Sequence, residues 1–198
     1  MNEKQIGFMN EKQIGAIADE IIQLYIRYGS DDYLGEPVSQ LEHMSQSALL
    51  AHEEGYEEEV ILAAFLHDIG HLCHPGRAAE DMAGNGAIRH EKVGADYLRA
   101  QGFSERLTRL VESHVQAKRY LTAKFPKYYD LLSPASKQTL ECQGGRMSDP
   151  EAEAFEQDEL FSLSIRMRRW DELAKKENQP VVDLASMRQM MIRHLQGN

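Results

Sequence analysis

Apolar residues recur at helical spacing along most of the chain. Ile14, Ile17, Ile21, Leu24 and Tyr25 fall three or four residues apart, which predicts an amphipathic helix over 11–28. Gly29, Ser30 and Asp31 end it, and a loop runs to Pro37, a residue that suits a first helical turn. Leu41, Met44, Ala48 and Leu49 then share one face of a helix over 38–54. A third helix is predicted over 57–69, with Glu57, Glu58 and Glu59 at the end that the macrodipole makes positive, and a break at Gly70. The Gly- and Pro-rich stretch 74–87 reads as a loop. Helices over 88–101 and 104–118 flank Gly102, with Ser104 as the second N-cap. Pro126, Pro134 and the pair Gly144-Gly145 interrupt 120–150, and helices over 155–176 and 183–196 complete the chain. No segment alternates apolar and polar residues as a strand would, so the fold class is all-α.

The 198 residues suit a single domain spanning 1–198. "MNEKQIG" at 1–7 recurs at 9–15, so residues 1–10 are expected to be a disordered or duplicated start outside the fold. The net charge of −10 argues against nucleic acid as a partner but leaves room for a small anion in a local basic pocket. No run approaches the roughly 18 apolar residues of a bilayer span, and the N-terminus lacks the apolar core of a leader, so no membrane partner is expected. Cys73 and Cys142 are too few for a disulfide framework, which suggests a reducing, cytoplasmic location. The sequence does not fix an oligomeric state.

The chemistry concentrates around "FLHDIGHL", residues 65–72. His67, Asp68 and His71 are polar groups at the end of an apolar helix, where desolvation demands a compensating partner. His43, His67, His90 and His114 lie roughly 24 residues apart, about one helix plus its loop. Successive helices can therefore turn one imidazole each toward a shared centre, as metal-binding bundles do. Imidazole and carboxylate together suit Fe, Mn or Zn. A single histidine is more often a capped or surface residue, so spacing alone leaves a metal site and a structural role equally open. The acidic runs at 53–59 and 149–159 read as solvated faces, and Met167 and Trp170 as core.

His43, the pair His67-Asp68 and Asp171 resemble the H…HD…D pattern of the HD-domain superfamily, with His90 and His114 resembling its dinuclear subset. The stretch "YLGEPVSQLEH" at 33–43 is similar to the segment before the first ligand in the HD-domain mixed-valent di-iron organophosphonate oxygenases. The likeness continues through "LAAFLHDIGHL", "AEDMAGNGAIRHEKVGADYL", "ESHVQAKRYL", "LSPASKQTL" and "RRWDE", and makes 31–175 the metal-binding core. The resemblance implies an all-α HD bundle holding two Fe ions as Fe(II)/Fe(III). One iron would be held by His43, His67, Asp68 and Asp171, and the other by Asp68, His90 and His114, with Asp68 bridging. Tyr33 and Glu36 would gate the site, Tyr33 capping the more open iron. His71, Lys118 and Ser136 would bind a phosphonate, with Gln138 as a further contact.

The implied reaction uses O₂ to cleave the C–P bond of 1-hydroxy-2-(trimethylamino)ethylphosphonate or its 2-amino analogue. Its products would be glycine betaine or glycine, with phosphate. Tyr33, Tyr97, Tyr120 and Phe125 are aromatic faces available to a trimethylammonium group. Two rivals stay open: a metal-dependent HD phosphohydrolase of a nucleotide or small phosphoester, and a non-catalytic HD-like sensor.

Overall fold

The computed structural model describes residues 9–33, 35–73 and 89–197. The described residues form eleven helices: α1 (Glu11–Tyr28), α2 (Gln40–Glu53), α3 (Glu58–Leu66), α4 (Gly70–Cys73), α5 (His90–Ala100), α6 (Glu105–Lys124), α7 (Pro126–Leu131), α8 (Pro134–Cys142), α9 (Asp149–Glu156), α10 (Phe161–Leu173) and α11 (Leu184–Gln196). Among the described residues, the only β pairing is an isolated bridge between Asp32 and Ser39 that pinches the loop between α1 and α2. No described helix is long and apolar enough to cross a membrane.

Local chemistry sets the helix ends. Asn10 and Gln13 form a reciprocal capping box that starts α1, so Asn10 is part of the fold and not of a disordered start. Ser39 and Glu42 do the same for α2, which leaves Pro37 outside the first turn it was expected to occupy. Helix α6 runs six residues beyond the predicted end at 118, to Lys124. Phe125, extended at φ −125 and ψ 91 as a residue before proline must be, ends it. The single helix expected over 155–176 is two helices. Asp158 accepts the backbone N–H of Leu160 at 2.8 Å, and both its carboxylate oxygens hold Arg109, so the side chain outcompetes the helical ladder at the break. The predicted loop 74–87 lies outside the described residues.

Helix α3 is buried on every side from Val60 to Leu66 and forms the axis of the bundle. Helices α1, α2, α6, α10 and α11 pack around it. Tyr25 of α1 stacks on Phe65, with ring centres 4.3 Å apart, and donates its hydroxyl to the Phe65 carbonyl at 2.7 Å. Met167 and Trp170 are fully buried, as expected of core residues. Because α3 occupies the axis, the residues that follow it, His67 and Asp68, emerge in the middle of the protein.

Gly70 does more than stop α3, since it opens the short helix α4 that crosses α5. A Cβ on Gly70 would stand 2.0 Å from the His90 carbonyl oxygen and 3.0 Å from the Gly94 nitrogen. Both neighbours are backbone and cannot swing away. Gly70→Ala is expected to destabilise the fold by about 1–3 kcal/mol or more, as forced overpacking does. A urea midpoint equal to that of the parent would show the crossing to be loose.

Candidate metal centre

Five segments deliver the site. His43 comes from α2, His67 and Asp68 from the turn after α3, His90 from the first position of α5, and His114 from α6; Asp171 joins them from the last turns of α10. All six are buried. The Asp68 carboxylate divides the group in two. Its Oδ2 faces His43 Nε2 and His67 Nε2, each at 3.4 Å. Its Oδ1 faces His90 Nε2 at 3.2 Å and His114 Nε2 at 3.4 Å. Asp171 Oδ1 lies 3.5 Å from His43 Nε2, in the first half.

Tautomers decide what these nitrogens can do. His43 Nδ1 donates to the Ala174 carbonyl at 3.0 Å, His67 Nδ1 to Ala64 at 2.8 Å and His114 Nδ1 to Val111 at 2.7 Å. With the proton fixed on Nδ1, each neutral imidazole turns its Nε2 lone pair inward. His43 Nε2 and His67 Nε2 are 3.1 Å apart, and so are His90 Nε2 and His114 Nε2. Neighbouring ligands on a metal with bonds of about 2.1 Å stand about 3 Å apart, so each pair has the spacing of one edge of a coordination shell. Among the described residues, Asp68 Oδ1 and Asp171 Oδ1 are buried with no hydrogen-bond partner, a costly state that a cation relieves. The donor set therefore fits two metal ions bridged by Asp68.

The electrostatics agree. Burial alone would raise the Asp68 carboxyl, but His67, His114 and His43 hold it well below the usual carboxylate range. Burial also opposes ionisation of Asp171, and the Arg168 guanidinium overrides it. Burial disfavours a charged His67, yet the Asp68 carboxylate lifts it to about 9, so a proton stands where a metal would serve better.

The residues expected around the metals divide into those the structure gathers and one it does not. Tyr33 stacks on His43 with ring centres 4.0 Å apart and donates its hydroxyl to Asp68 Oδ2 at 2.9 Å. Burial and the Asp68 charge raise the phenol well above its usual range, which keeps it a donor. This places Tyr33 on the His43 half, whereas the resemblance had suggested the half with fewer protein ligands. Glu36 Oε1 accepts from Ser133 Oγ at 2.6 Å and from Lys175 Nζ at 2.5 Å. Lys175 Nζ also reaches Ser136 Oγ at 3.3 Å and lies 5.8 Å from the Tyr33 ring centre.

His71 stacks on His90 with centres 4.2 Å apart, and it offers a nitrogen to a possible ligand group with Asp68 and His90. Burial, reinforced by the neighbouring His90, pushes His71 down to about 3, so it meets any ligand as a neutral imidazole rather than as a charge. Lys118 is buried and donates to Thr139 Oγ1 at 2.9 Å. Gln138 does not join them. Ser136 and Thr139 lie three apart on the inward face of α8, while Gln138 is on its exposed side.

Sequence reasoning passed over Arg168, Thr139 and Lys175. Arg168 is buried, and its Nη1 holds Asp171 Oδ2 while its Nε reaches Tyr128 Oη and Glu172 Oε1, both at 3.0 Å. An arginine three residues before an aspartate on one helix is the signal that could have found it. Lys175 lies past the end of α10 and carries no such signal.

Comparison with known proteins places this geometry. The HD domain family model matches residues 41–159, which leaves Tyr33, Glu36 and Asp171 outside the matched range. An uncharacterized protein of Acanthamoeba polyphaga mimivirus is 42% identical over 94% of this chain and 85% of its own length. The 1-hydroxy-2-(trimethylamino)ethylphosphonate dioxygenase (glycine-betaine-forming) of Leisingera caerulea is 39% identical over 97% of both chains. The hydroxymethylphosphonate dioxygenase of Gimesia maris is 38% identical over 87% of this chain and 85% of its own.

Removing the shared carboxylate is expected to empty both halves. Metal analysis after anaerobic loading should give about two ions per chain for the parent and less than one for Asp68→Ala. A variant that keeps both ions would move the bridge elsewhere.

Proposed function

The chain belongs to the HD-domain family and is an oxygenase of the phosphonate dioxygenase kind, and from this premise we propose that it cleaves the C–P bond of 1-hydroxy-2-(trimethylamino)ethylphosphonate with O₂. The products would be glycine betaine and phosphate. The 2-amino analogue, which would give glycine, is the alternative substrate. The observation that carries the reading is the divided Asp68 carboxylate, with a pair of imidazole nitrogens before each oxygen. Two iron ions held there as Fe(II)/Fe(III) would supply the activation of O₂. The reaction balances with one O₂, which contributes one oxygen atom to the carboxylate and one to the phosphate.

The remaining work falls to the side chains. Lys118, Ser136 and Thr139 surround an anion with a charge and two hydroxyls, and His71 adds a neutral donor. Tyr33, hydrogen-bonded to Asp68, covers the His43 half until substrate arrives, which keeps water and idle O₂ from the centre. Glu36 and the Tyr33 ring already flank one cation, the Lys175 ammonium. A carboxylate beside an aromatic face is the environment that a quaternary ammonium selects. Tyr97 lies against Glu20 of α1, Tyr120 packs on Phe155 and Phe161 in a separate cluster, and Phe125 is exposed.

Aerobic turnover with phosphate release and O₂ uptake tests the assignment. The trimethylamino substrate is expected to be fastest, the amino analogue slower and hydroxymethylphosphonate slowest. Phosphate release from a phosphoester without O₂ uptake would return the protein to the hydrolases.

Lys118 generates a pH prediction. Burial, helped by Arg168, pushes its ammonium down to about 7. The charge is therefore present below that pH and lost above it, so phosphonate affinity should fall as pH rises past about 7. Lys118→Arg keeps its charge and should flatten this fall; the titration of the phosphonate is common to both proteins and drops out of the ratio. Lys118→Ala should weaken binding about ten- to a hundred-fold, the equivalent of a charge-assisted contact of about 1.5–3 kcal/mol. Unchanged affinity in the alanine variant would remove Lys118 from the site.

A further inference from the structure

Three of the four inward histidines have their outer nitrogen anchored by a backbone carbonyl, and among the described residues the fourth does not. His67 and His114 each use the carbonyl three residues earlier, and His43 uses Ala174. His90 is the first residue of α5, so no earlier residue of its own helix can serve it. Its Nδ1 faces Glu91 Oε2 at 3.8 Å. Glu91 is 3% exposed, and that same Oε2 is buried without a hydrogen-bond partner among the described residues. The other oxygen, Oε1, lies 3.5 Å from Nε of Arg89, whose side chain is mostly in solvent. A buried carboxylate oxygen facing a ring N–H across slightly more than hydrogen-bond distance is not explained by packing, because desolvating it unpaired is costly.

We propose that Glu91 is the positioning residue for one half of the metal centre, its carboxylate accepting the Nδ1–H of His90 and so fixing the Nε2 lone pair on the metal. The ring has little other freedom. One face is stacked on His71, and Nε2 already points at Asp68 Oδ1 and His114 Nε2. A carboxylate partner makes an imidazole a stronger donor than a carbonyl partner does. Of the four histidines, His90 would then be the ligand tuned by a charge. Glu91 touches neither substrate nor metal and acts only through His90.

The inference rests on the two-metal reading and is tested on the metal itself. Metal-free parent, Glu91→Gln and Glu91→Leu are titrated anaerobically with Mn(II), and the thermal midpoint of each metal-free protein is measured. In Glu91→Leu, one of the two equivalents is expected to bind about ten- to a hundred-fold more weakly, with the other unchanged. Glu91→Gln, which keeps a neutral acceptor, should recover most of the loss, and the metal-free midpoints should stay together. Equal weakening of both equivalents, a glutamine variant no better than leucine, or parent-like binding in Glu91→Leu would each overturn the proposal. A parent that takes up only one equivalent would overturn the two-metal reading and the proposal with it.

Discussion

A carboxylate that water cannot reach has to be compensated where it stands, and Asp68 sits on the axis of the bundle with imidazoles before both its oxygens. The rest of the architecture serves that arrangement. Its position follows from α3, a helix apolar on every side, because whatever ends such a helix must emerge inside the protein. Its partners come from three other elements, so α2, α5 and α6 must all pack closely enough to bring an Nε2 within 3.4 Å. The Gly70 contact with the His90 carbonyl shows how little slack that packing leaves.

The outer layer follows the same logic of satisfied neighbours. Backbone carbonyls set three histidine tautomers, Arg168 sets the direction of Asp171, and Tyr33 seals one edge of the Asp68 carboxylate. Beyond these, Lys118 and Lys175 place positive charge next to the hydroxyls of Thr139 and Ser136. The acidic chain thus carries a cluster of positive charge, the buried Lys118 and Arg168 and the half-buried Lys175, beside the buried carboxylates of its site.

Much of this was legible in the sequence where one residue acts through its immediate neighbours. The α1 span was readable because an apolar face repeats every three or four residues and a polar residue caps it. The spacing of His43, His67, His90 and His114 marked them as candidates without separating a metal site from a structural role, and the full set with Asp68 and Asp171 came from the resemblance to the HD-domain family. Residues that depend on a second element were not readable. Thr139 and Gln138 are neighbours in the chain, and the orientation of α8 alone decides which of them meets Lys118. Lys175 looks like a solvated lysine until the loop carrying Glu36 folds against it. The break at 157–160 needed Arg109, about fifty residues away, to hold Asp158 in place.

The sequence by itself determined the all-α class, the ends of helices with a clear apolar face such as α1 and α11, and the donor types available to the site, because periodicity, capping and donor type are properties of short stretches. The tertiary structure alone decided that Asp68 faces two histidine pairs and that Tyr33 reaches Asp68 over the His43 half. Those are relations between helices distant in the chain. They are set by how close two backbones can approach, which a glycine such as Gly70 permits and no local pattern announces.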